Sequence, residues 1–177
     1  MSMMLVTERL TLRLLELGDA EAIERLASEK EVADTTMNIP HPYPLGSAAG
    51  FIQSRHEAAM HGDGYSFAVT LTEGGTFLGI VGLNIDKRNN KADLGYWIGR
   101  AYWGQGYCTE AAARVVQYAF EQLKLNKVFA AALTRNPASS RVMEKIGMKF
   151  EGILREHLCK EGQYEDVKCY GLLRDEV

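Results

Sequence analysis

The sequence lacks a basic stripe, a long apolar run and any regular spacing of cysteine or histidine. Twenty Lys and Arg residues against 23 Asp and Glu leave a formal charge of −3, with the two signs intermixed along the chain. Binding along a phosphate backbone requires a clustered positive face, so nucleic acid is not expected as a partner. No apolar stretch approaches the roughly 18 residues of a membrane span. The opening "MSMMLVTERLTLRLL" has neither the charged and apolar regions nor the small-residue cleavage site of a signal peptide, and the expectation is a cytoplasmic protein with no membrane partner.

Cysteine is limited to Cys108, Cys159 and Cys169, an odd number at spacings that match neither a metal knuckle nor a disulfide framework. The four histidines are equally scattered, and His56 and His61 stand five apart rather than the four that align ligands on a helix face. No metal is expected. Proline is also scarce, and three of the four fall at alternate positions in "NIPHPYPLG". They remove donors and bias their predecessors to extended backbone, so that segment is irregular.

What is present suits one α/β (α+β) domain over residues 1–177, long enough for a full core and too short for two typical domains. "RLTLRLLE" alternates as a half-buried strand. Asp19 is placed to cap a following helix containing Ala22, Ile23 and Leu26, and Ser47 to cap a second that ends near "HGDG". "YSFAVTL", "TFLGIVGLNI" and "KADLGYWIG" form an antiparallel meander, with Asn89 and Asn90 in a hairpin that needs positive φ. Ala112, Val115, Val116, Ala119, Phe120 and Leu123 then mark a long amphipathic helix. A strand "KVFAAAL", a short helix "SSRVMEKIG" stopped by Gly147 and two closing strands joined by "KEGQ" complete the chain.

Between the strand ending near Gly99 and the helix starting near Thr109 lies "AYWGQGYCTEA". A strand-to-helix turn aims unpaired N–H groups and the positive end of the helix dipole at one point. Small residues there let a phosphate approach the backbone. Trp103, Gly104, Gln105, Gly106, Tyr107, Cys108 and Thr109 are therefore candidate anion-binding residues, although glycines that merely permit a tight turn give the same letters. Neither G-x-x-x-x-G-K-[ST] nor G-x-G-x-x-G is present, since the third glycine of the latter falls on Thr109. Cys108 is either a thiol activated by the helix terminus or simply the small member of the loop.

The arrangement from about Leu5 to Leu173 resembles the GCN5-related N-acetyltransferase (GNAT) family, which binds acetyl-CoA. That family's Q/R-x-x-G-x-G/A falls on Trp103, Gly106 and Cys108, with departures at Trp103 and Cys108. "YWIGRAYWGQGYCTEA" and "NPASSRVMEKIGMKFEG" are similar to the branch that acetylates the N-termini of ribosomal proteins. The resemblance implies a central mixed, mostly antiparallel, twisted sheet of about seven strands flanked by helices. It implies acetyl-CoA as cosubstrate, with backbone groups of Tyr96, Trp97 and Ile98 beside the pantetheine arm and acetyl group, and Asn136 on the pantetheine amides or only in the turn before Pro137.

Acyl transfer to an amine also needs a base, and a proton for the departing thiolate. Asp93 stands where some relatives carry a basic glutamate; it is either a base acting through water or a solvated strand-edge carboxylate. Many relatives place a proton-donating tyrosine seven residues after the asparagine, and that position is Met143 here, which cannot donate. Ser139 is the substitute implied by the ribosomal-protein branch, or a helix cap. The acceptor is a protein N-terminus or a small amine such as a polyamine, amino acid or drug, with a non-catalytic acyl-CoA-binding module as a further alternative. Its pocket is assigned to "TTMNIPHPYPLG" and to the "KEGQYED" turn, where Tyr164, Glu165 and Asp166 are either cation ligands or a charged hairpin end. Monomer and homodimer both remain open.

Overall fold

The computed structural model describes residues 3–177 and is built on one sheet of eight strands. In chain order these are β1 (Met4–Val6), β2 (Leu10–Leu14), β3 (Gly64–Leu71), β4 (Phe77–Asp86), β5 (Lys91–Ile98), β6 (Lys127–Leu133), β7 (Lys149–Lys160) and β8 (Gln163–Leu173). They lie in the order β1-β2-β3-β4-β5-β6-β8-β7, antiparallel except for β5 and β6. The helices are α1 (Ala20–Ala27), α2 (Lys30–Thr35), α3 (Ser47–His61), α4 (Tyr107–Glu121) and α5 (Pro137–Lys145). β1 is the strand that sequence pattern misses: three residues are too few to display an alternation.

Period-two patterning sorts the sheet into two faces. Phe67, Val69, Ala92 and Leu94 turn toward α4, where Ala112, Val115, Val116, Ala119 and Phe120 close the larger core. Ala68, Ile80 and Trp97 turn the other way, toward Ile23, Leu26 and Ile52 of α1 and α3. The meander, the α4 stripe and the final hairpin fall where the sequence puts them. At the β4–β5 turn Asn90 has φ +50°, and Asp86 accepts from the Asn89 backbone at 3.1 Å.

Two expected caps act differently. Asp19 is buried and makes no cap bond to α1; it receives both terminal nitrogens of Arg13 at 2.8 Å and the Glu16 N–H at 2.8 Å. A buried carboxylate finds more in that bidentate ion pair than in one cap bond. Ser47 is the first residue of α3 rather than its cap, because Gly46 occupies the cap position with φ +83° and the Ser47 hydroxyl turns back to the Pro44 carbonyl at 2.7 Å.

The feature that positions a site is the parting of β5 from β6. Their ladder covers only Lys91–Asp93 against Lys127–Phe129, after which both strands continue without pairing to each other. The result is a slot through the sheet.

Candidate active site

The pleat determines which backbone groups line the slot. Gly99 donates to the Leu78 carbonyl on β4 at 2.8 Å, and Asn126 donates to the Asn90 carbonyl on the β6 side at 2.8 Å. Since hydrogen-bonding direction alternates along an antiparallel strand, Asp93, Gly95 and Trp97 face β4, and Leu94, Tyr96 and Ile98 face the slot. Trp103 confirms the phase by donating its indole N–H to the Ile98 carbonyl at 2.7 Å. The backbone of Trp97 is paired with Ile80 of β4 and its indole packs toward Phe77, 6.5 Å between ring centroids, so Trp97 borders the cleft beside Tyr96 and Ile98 without turning its N–H into the slot.

On one side of the slot a cleft of about 350 Å³ runs along the glycine loop and α5. Gly104 and Gly106 hold φ of +76° and +80°, a left-handed conformation that a side chain with a Cβ resists. Gly106 caps α4, and no side chain among the described residues bonds the free N–H groups of the first turn. Tyr107, Cys108 and Thr109 thus present their amides to the cleft. Gln105 contributes structure: its carbonyl accepts from Arg9 Nη1 at 2.9 Å. Arg9 is in turn paired with Glu110 at 2.7 Å and lies 4.4 Å over the Tyr107 ring. No sequence pattern reveals this clamp from the β1–β2 turn, whose partners are 101 residues apart. Burial pushes the Cys108 thiol up to about 12, opposite to activation by the helix terminus.

The far wall is the start of α5. Asn136 caps it, accepting from the Ser139 N–H at 3.4 Å, and donates through Nδ2 to the Thr35 carbonyl at 2.9 Å. Ser139 lies at the junction of the cleft with a second cavity, and its hydroxyl is 2.9 Å from the Tyr96 phenol. Met143 is 1% exposed and completes the core beneath. Of the basic residues nearby, Arg100 is paired with Glu31 and Arg135 with Glu165, whereas Arg141 and Lys145 line the cleft without a carboxylate partner among the described residues.

The second cavity, about 600 Å³, opens on the α1–α3 side of the slot and shares Thr35, Thr36, Tyr96, Trp97 and Ser139 with the cleft. The irregular segment after α2 roofs it with Met37, Ile39, Pro40 and Tyr43. The end of α2 that leads into that segment is tied down by residues far along the chain. Lys160 donates to the carbonyls of Ala33 and Thr36, and Arg135 Nη1 to Asp34 at 2.7 Å. Glu165 pairs with Arg135 of the β6–α5 loop at 2.9 Å, and Asp166 accepts from the Glu156 N–H within the β7–β8 hairpin at 2.7 Å. Asp93 is half-buried on this face, its side chain makes no hydrogen bond or ion pair among the described residues, and burial pushes its carboxyl upward.

The family model described as acetyltransferase (GNAT) domain matches residues 9–149. Uncharacterized N-acetyltransferase p20 of Bacillus licheniformis is 34% identical over 173 residues, 97% of each chain. Ribosomal-protein-serine acetyltransferase of Escherichia coli is 25% identical over 117 residues, 66% of this chain and 65% of its own. Among solved structures, spermidine N-acetyltransferase from Vibrio cholerae in complex with CoA and spermine aligns with a TM-score of 0.83 at 25% identity, over 96% of this chain and 98% of that one.

Proposed function

The chain belongs to the acetyltransferase (GNAT) family and is an acetyl-CoA-dependent N-acetyltransferase; from that premise we propose that its acceptor is the N-terminal α-amine of a protein or peptide, of the kind a ribosomal protein presents. The observation that carries this reading is the charge of the acceptor cavity. Among its lining residues Asp93 supplies the one carboxylate, and the walls are otherwise mostly apolar. A polyamine carries several ammonium groups and calls for several acids. A single amine calls for one.

In this reading the amides of Gly106 to Thr109 hold the pyrophosphate of acetyl-CoA, while Arg141 and Lys145 meet its outer phosphates. The slot-facing N–H groups of Tyr96 and Ile98 lie beside the pantetheine arm and polarise the acetyl carbonyl, preorganised by a sheet that does not move when charge develops. Asn136 fixes the wall by binding α5 to α2, leaving its neighbours to contact the arm.

Asp93 removes a proton from the incoming amine through a water molecule. The amine nitrogen attacks the thioester carbon, the oxyanion forms against the slot amides, and its collapse breaks the carbon–sulfur bond. Ser139 passes a proton to the departing thiolate and regains one from the nitrogen that has just become an amide. Released thiol, measured with peptides bearing a free N-terminus, lysine peptides with a blocked N-terminus, and spermidine, tests the reading. Turnover of the first class should exceed the others by at least tenfold, and turnover of spermidine alone would refute it.

A further inference from the structure

Arg55 on α3 has no carboxylate partner among the described residues, yet it lines the acceptor cavity, and Asp93 is the only other ionised side chain there. Its Nη1 donates to Asn84 Oδ1 at 3.1 Å, and the guanidinium carbon stands 5.7 Å from the Phe51 ring centroid. Asn84 lies directly opposite Asp93 in the β4–β5 register, so the two side chains project from the same face. A neutral amide therefore orients the guanidinium without cancelling its charge. Nε also reaches Ser54 Oγ at 3.4 Å, and the terminal nitrogen Nη2 with the second proton of Nη1 remains for a planar oxygen pair, the geometry that arginine matches best.

We propose that Arg55 binds a carboxylate that the acceptor carries within about one residue of its reacting amine. The inference rests on the reading that this cavity takes the acceptor. An amine directed to the Asp93 side leaves the next residue of an extended chain beside Asn84, within reach of the guanidinium. The carboxylate has two sources, the side chain of an acidic second residue in a peptide or the α-carboxylate of a free amino acid.

The test compares kcat/KM for matched acceptors with saturating acetyl-CoA. Ala-Asp and Ala-Asn peptides, C-terminally amidated, form one pair; alanine and alaninamide form the other. Arg55 should give the carboxylate member of one pair an advantage of about tenfold, the worth of a charge-assisted hydrogen bond. Arg55→Gln should bring that ratio to near one, and Arg55→Glu should transfer the preference to an Ala-Lys peptide, a gain that misfolding does not produce. If alanine rather than the peptide shows the advantage, Arg55 keeps its role and the N-terminal reading falls. If the parent enzyme acetylates both peptides equally, or Arg55→Gln keeps the parent ratio, the inference is overturned and N-terminal acetylation stands.

Discussion

The Tyr96 phenol oxygen lies 2.9 Å from both the carbonyl and the hydroxyl of Ser139, joining β5 to the first turn of α5 across the slot. A phenol has one proton to give. If it goes to the carbonyl, the Ser139 proton points back at Tyr96; if it goes to the hydroxyl, the Ser139 proton is free for the cleft. Burial pushes the Tyr96 pKa far up, so the phenol stays protonated and positions Ser139 rather than ionising in its place. Ser139→Ala should lower kcat by roughly 10²-fold with little change in KM. Tyr96→Phe should lower kcat about tenfold, and should add almost nothing in a Ser139→Ala background, as expected of residues acting as a unit. Independent, additive losses in steady-state kinetics would separate the two residues.

Asp93 gives a pH prediction. Its carboxyl titrates above the ordinary aspartate value because burial disfavours the charge. A base must be ionised, so the acid limb of kcat/KM should lie above the usual aspartate range, and Asp93→Asn should be impaired most on the acidic side. Linkage fixes the stability sign: a carboxyl whose folded pKa is raised binds more protons folded than unfolded, so stability falls as pH rises from the unfolded value through the folded one. At neutral pH the ionised form is a net cost, and Asp93→Asn should raise Tm while lowering turnover. Calorimetry that found a lower Tm would mean an unseen partner for the carboxylate.

Gly106→Val should abolish acetyl-CoA binding at the concentrations that saturate the parent, with the circular dichroism spectrum preserved. Valine at φ +80° is strained by about 1–2 kcal/mol, and relief of that strain turns the loop amides away from their common point. Equal affinities by titration calorimetry would remove the loop from the site.

Cys108 is expected to act through size. With the thiol pushed up to about 12 it is almost wholly protonated at pH 8. Alkylation by iodoacetamide should be slow, and Cys108→Ala should keep kcat within a fewfold of the parent. Loss of turnover in Cys108→Ala with acetyl-CoA binding intact would restore a chemical role to the sulfur.

Much of the fold was legible because it rests on local periodicity. The Ala112-to-Phe120 stripe, the Asn90 turn and the Gly147 stop are decided within a few residues of themselves. Of the candidate site, the sequence reveals only what backbone conformation decides, the tight turn at Gly104 and Gly106. Arg9 to Glu110, Lys160 to Ala33 and Tyr96 to Ser139 join segments 101, 127 and 43 residues apart, and no spacing rule reaches that far. The same holds for Trp97: its side chain is evident from the alternation, but which neighbour its backbone faces depends on the β4–β5 register.

The most direct test uses one peptide with both a free apolar N-terminus and an internal lysine, incubated with the enzyme and acetyl-CoA and sequenced by tandem mass spectrometry. A free α-amine has a pKa near 8 against about 10.4 for lysine, so at neutral pH a single water-relayed carboxylate has far less deprotonation to accomplish. The account predicts one acetyl group, on the α-amine, at a rate that falls with Asp93→Asn and Ser139→Ala. An acetyl group found only on lysine would contradict it.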